Sequence, residues 1–251
     1  MRRLLQTVLL LLSGAGLLRI ALFGDLYLRY VKEGMRPLLI GSGVLLILLG
    51  LTDAVSSLRR REDGGHTGHG DGGHGHRHSS VPRPAWLLFL PALSLLFYAP
   101  PALGAYTASR EPAEVAVTHE DDFDPLPATS PLPITLSDFT RRVRQDRTGA
   151  IEGRTVRMTG FVTSAGQGGG WFLTRIMISC CAADARSVKV RVHGAPAPAA
   201  DTWVTVTGAW HPGGTLGTGS APAALDARSV EKTAEPVNAY TDALPPPALG
   251  R

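Results

Sequence analysis

Two adjacent cysteines, Cys180 and Cys181, followed by Ala182, Ala183 and Asp184, are the residues of this 251-residue chain best suited to chemistry. They are its only cysteines, and the stretch 178–185 that holds them lies between two runs that read as β-strands. On an extended strand neighbouring side chains point to opposite faces, so both sulfurs can meet one atom only if the chain bends there. A disulfide between neighbours is awkward, because their Cα atoms lie about 3.8 Å apart across a trans peptide and ordinary disulfides want roughly 5.5 Å. The small residues after Cys181 allow a tight turn that swings both thiols and the Asp184 carboxylate to one side. Such a set suits a soft metal such as Zn²⁺, which takes four ligands, and His193, with His211, His119, water or a partner as alternatives, would complete it. Two other readings stay open: a strained, easily reduced dithiol couple, and a plain pair with one thiol in the core and one at the surface.

A second set of donors is the glycine-rich tract 61–80, which carries His66, His69, His74, His76 and His78. Neutral imidazole binds zinc, copper and nickel, and glycine lets successive rings converge without a fixed fold. The plain alternative is a polar linker. Gly166-Gln167-Gly168-Gly169-Gly170 lacks the lysine and following helix of a phosphate loop and reads as a hairpin turn. With no hydrolase, kinase or nucleotide pattern, the chain reads as a non-enzyme.

The elements that position the thiols lie in residues 134–240. Thr135 or Ser137 caps a helix over 136–144, with Leu136, Phe139 and Val143 on one side. Residues 155–163 alternate, with Val156, Met158, Gly160 and Val162 on one face. Further strands are predicted over 171–179, 187–192, 202–210 and 225–230. Five short strands joined by glycine-rich turns suggest a small OB-like β-barrel. An oligonucleotide-binding role is disfavoured, because this half has 15 Asp/Glu against 13 Lys/Arg from residue 111 onward and no basic stripe interleaved with aromatics.

Residues 1–109 read as a transmembrane region. Here 12 Lys/Arg face 6 Asp/Glu in residues 1–110, the basic residues flanking apolar runs at 4–23, 37–55 and 85–106. The first run competes with a cleaved signal peptide, but apolar sequence continues past Gly16 toward Phe23, Tyr27 and Tyr30, which suit an interfacial belt. Seven arginines on the N-terminal side and between the second and third runs, against four basic residues on the other side, place the amino terminus and the His tract in the cytoplasm. The whole is then an α + β multi-pass protein of the cell membrane, about three transmembrane helices followed by an extracytoplasmic barrel. Residues 110–133, rich in proline and acid, read as a tether, and 241–251 as a disordered tail.

Several stretches, Asp138-Phe139, Glu152-Gly153-Arg154, Thr159-Gly160-Phe161-Val162, Cys180 to Ala185, Trp203-Val204 and Gly208, resemble the YcgQ-like family of bacterial membrane proteins, described as permease subunits. The resemblance is tight in the tail and loose in the membrane part. It implies a separate polytopic permease as partner, with this chain as the accessory subunit, and an association with zinc homeostasis. The substrate, its direction and the stoichiometry are not implied.

Overall fold

The computed structural model describes residues 2–62, 102–111, 123–166 and 170–244. The chain divides into two compact units, Met1–Phe23 with Pro37–Ala102, and Gly24–Arg36 with Leu103–Arg251.

The first unit is built on α1 (Arg2–Leu22) and α2 (Arg36–Glu62). Small residues set their approach: a Cβ on Gly14 would lie 2.7 Å from the Gly43 carbonyl oxygen and from Ile47, and one on Gly43 2.9 Å from Leu18. Close backbone contact at small residues is how helices associate where no hydrophobic force drives them together. The Thr7 hydroxyl donates to the Asp53 carboxylate, which gives α2's buried-side acid a partner. The helical stretch Glu33–Ser56, of mean hydropathy 2.2, is long and apolar enough to cross a membrane, and Gln6–Leu22 is a shorter apolar helix. Leu12, Leu38, Leu45 and Leu48 are exposed along these helices. The His tract at 61–80 and most of the third apolar run lie outside the described residues.

The second unit holds a six-stranded sheet: β1 (Leu132–Pro133), β2 (Thr155–Ser164), β3 (Trp171–Met177), β4 (Arg186–His193), β5 (Trp203–Trp210) and β6 (Ala224–Lys232). The order is β1-β2-β3-β4-β6-β5, and β2 also pairs with β5, so the pairings from β2 onward return to β2, with β1 added at its side. β1 pairs parallel with β2 and β4 with β6; the other pairs are antiparallel. The alternation in the sequence places Val156, Met158 and Val162 inside, with Leu173, Val190, Val204, Val206 and Leu225. α4 (Leu136–Gln145) closes this core with Leu136, Phe139 and Val143. It starts where expected, the Thr135 hydroxyl accepting from the Asp138 amide at 3.1 Å.

Four boundaries differ from the sequence reading. The end of the third apolar run is α3 (Ala105–Arg110), whose Ala105 and Ala108 bury against Phe161, Ile176, Ile178, Ala239 and Tyr240. Small alanines let it lie on the sheet, and Asp201, at φ 62°, accepts from the Ala105 amide at 2.6 Å. The described part of the expected tether is strapped down: Glu111 accepts from the Ser187 amide at 2.8 Å, Leu132 is buried in β1, and Arg142 donates to the Asp124 carbonyl at 2.9 Å. The described start of the expected tail, residues 241–244, also packs. Asp242 accepts from the amides of Leu136 and Ser137 at the head of α4 and lies 3.7 Å from buried Arg175. Finally, Gly24–Arg36 belongs with the sheet: Tyr27, expected at a membrane interface, is buried with Leu28 in a 3-10 turn over Leu26–Arg29.

Candidate functional site

β3 ends at Met177 because Ile178 turns away from β4 to donate to the Tyr240 carbonyl at 3.1 Å. The chain then bends through Ser179 and Cys180, and Ala182–Asp184 makes one 3-10 turn before β4 starts at Arg186. This is the bend that two adjacent cysteines require in order to share a side. Asp184 folds back over it: its Oδ1 accepts from the Ser179 amide at 2.9 Å and its Oδ2 from the Cys180 amide at 2.7 Å. Asp184 therefore closes the loop as a local carboxylate cap.

The thiols are free. Cys180 is exposed and Cys181 half-buried. The neighbouring Asp184 carboxylate first, and the Cys181 sulfur after it, push the Cys180 thiol pKa up to about 11. The Cys180 thiol first, and then the backbone amides of Ser179, Cys180 and Cys181, hold Asp184 below the usual carboxylate value against desolvation, which opposes them. Cys180 thus carries its proton at neutral pH, with a fixed acceptor beside it.

A second contact was not legible in the sequence. Val31 forms an antiparallel bridge with Cys181, the Lys32 amide donating to the Cys180 carbonyl at 3.1 Å and the Ala182 amide to the Tyr30 carbonyl at 2.7 Å. The connection from α1 to α2 is thereby tied to the thiol loop by backbone groups, which have no side-chain signature to read.

His193 is not a neighbour of the cysteines. It ends β4, whereas the thiol loop precedes the start of that strand, and eight residues of strand span roughly 25 Å. It stacks instead on His211, ring centroids 4.2 Å apart with 25° between planes, and His211 Nδ1 lies 2.7 Å from Asp226 Oδ1. Desolvation, then the neighbouring His211, and also Arg191, lower the His193 pKa, while Asp226 works against them. Arg175 near the end of β3 is buried and occupied elsewhere, against Trp203 at 5.0 Å and beside Asp242, so it does not act on the thiols. His119 and the histidines His66, His69, His74, His76 and His78 lie outside the described residues. Among the described residues no three His, Cys, Asp or Glu side chains are arranged to hold a metal ion.

Against known proteins, no curated protein and no solved structure matches the chain. Residues 135–241, from the residue that caps α4 to the end of the packed segment after β6, match the DUF1980 C-terminal domain, a match consistent with the resemblance carried by the thiol loop and its flanking strands.

Proposed function

We propose that this protein is the accessory subunit of a membrane permease, and that its thiol loop receives a thiophilic cation, zinc in the first instance, as cargo or signal. The returning strand pairings, with the third and last strands of the ring parallel, are read as an OB-like barrel, and α1 and α2 as membrane anchors of a multi-pass chain with the barrel outside the cell. The observation that carries the metal reading is two free, adjacent thiols on one short turn that Asp184 closes by accepting from the Ser179 and Cys180 amides. Zinc binds thiolates, so each sulfur that ligates must release its proton to solvent, and the bound cation then offsets the adjacent carboxylate charge that holds the Cys180 proton in its absence. Both Asp184 oxygens also accept backbone amides. Its first role is thus to position the loop, leaving the two sulfurs as ligands and further positions for water or a partner chain.

The same geometry speaks against a dithiol couple that exchanges rapidly. Thiolate is the attacking species, and a pKa of about 11 leaves little of it at neutral pH. The test is zinc content by mass spectrometry after purification of the full chain in detergent, alone and with whatever membrane protein travels with it. Wild type is expected to retain one zinc more than Cys180→Ser/Cys181→Ser, and equal contents in the two would remove the metal role. An accessory subunit further predicts a polytopic membrane protein in the purified complex, and its absence would remove that part of the proposal alone.

A further inference from the structure

We infer that His193 and His211, with Asp226 behind them, form a second cation site, for a divalent transition metal of the imidazole-preferring class such as zinc, nickel or copper(II). Three strands meet there. His193 pairs with Asp226 across the parallel β4–β6 contact, and Asp226 pairs with Ala209 across β5–β6, which sets His211, two residues further on, on the same face. The His211 amide donates to the Ala224 carbonyl at 2.9 Å, so this position just beyond β5 is fixed by backbone. A bulge at Thr207/Gly208 brings β5 and β6 together, and a Cβ on Gly208 would collide with the Asp226 carbonyl.

The chemistry follows from which nitrogen is engaged. The Asp226 carboxylate can only accept, so His211 Nδ1–H donates to it and Nε2 keeps its lone pair, the carboxylate–histidine pairing that orients a metal-ligating imidazole. No hydrogen bond to a described residue engages the His193 ring, which faces His211 at 4.2 Å. Two nitrogens on one tetrahedral ion at ordinary bond lengths lie about 3.3 Å apart. With His211 held by Asp226, the His193 ring is the one that must turn out of the stack to bring its nitrogen to the ion. Both partners of the His211–Asp226 pair keep about half or less of their side-chain surface open, 39% and 50%, so an ion can enter with waters on its remaining positions. The nearby cation, Arg191, lies over the Phe172 ring. Two histidines plus water make a weaker site than a closed four-ligand one, suited to reversible loading.

The site is tested in the full chain with the other donors removed: Cys180 and Cys181 changed to Ser, and His66, His69, His74, His76, His78 and His119 to Asn. His193 and His211 are then the only histidines left. Equilibrium dialysis against zinc should find one ion per chain. His193→Gln or His211→Gln should abolish it, and Asp226→Asn, which keeps the shape but weakens the orienting bond, should loosen it about tenfold. Circular dichroism of each variant reports folding, and all three are expected to retain the wild-type spectrum because the side chains are on the surface. No zinc on the background chain, or zinc retained by the His193→Gln/His211→Gln variant, would overturn the inference. Either result leaves the thiol-loop reading untouched, because that site is absent from the background.

Discussion

At the residue scale the decisive pair is Cys180 and Asp184. The carboxylate raises the thiol's pKa, so Asp184→Asn is expected to bring it down from about 11 toward the ordinary 9.0 and to speed alkylation of Cys180 near pH 8 by roughly tenfold or more. An unchanged alkylation profile would show that the carboxylate does not set it. The sign for stability follows. A folded-state pKa above the unfolded one means the folded chain holds the proton more tightly. That contribution is complete below about pH 9 and fades as pH rises toward 11. The sequence made this pair legible, because two neighbouring thiols need a bend and Ala-Ala-Asp supplies one. It did not make His211–Asp226 legible: their proximity is fixed by a parallel strand pairing and a bulge, neither of which leaves a short-range pattern. His193 falls just after the run 187–192, where the sequence places it, yet the thiols it is expected to join as a ligand lie at the other end of its strand.

At the scale of elements, the strands were readable because apolar residues alternate in β2 and β4, and α4 because Leu136, Phe139 and Val143 recur at helical spacing above a capping threonine. What alternation could not reveal is where both faces are buried. From Gly160 to Thr163 β2 is covered on both sides, and Thr163 and Thr174, both fully buried, hydrogen-bond each other at 2.7 Å. Thr163→Val should strand the Thr174 hydroxyl and cost about 1–3 kcal/mol, whereas the double valine variant should recover most of that loss. Denaturant melts of the four-member cycle measure it. Gly208→Ala should be worse than a helix-propensity change, about 2 kcal/mol or more, because the new Cβ meets β6 backbone that cannot step aside. Phe139→Ala, which empties the core under α4, should cost about 3–5 kcal/mol.

At the scale of the whole molecule, the thiol loop is a meeting point of distant segments: β3 ends into it, Tyr240 caps its entry, and the connection between α1 and α2 pairs with it through Val31. The expected domain boundaries missed this because the packed parts of 24–36, 103–111 and 123–133 are short, proline- or glycine-broken and held largely by backbone groups. Lys32→Pro removes the amide that donates to the Cys180 carbonyl. Faster hydrogen exchange at the Ala182 amide is the expected outcome, and exchange at the wild-type rate would mean the bridge does not hold the loop.

The central claim is that the two adjacent sulfurs bind one thiophilic ion together. Titrating the full chain with cadmium while following the ultraviolet thiolate-to-cadmium charge-transfer band tests it most directly, since histidines and carboxylates give no such band. The account predicts a band that saturates at one ion per chain with the intensity of two thiolates, about half that in either single serine variant and none in Cys180→Ser/Cys181→Ser. A wild-type chain without the band, or a band that survives in the double variant, would contradict it.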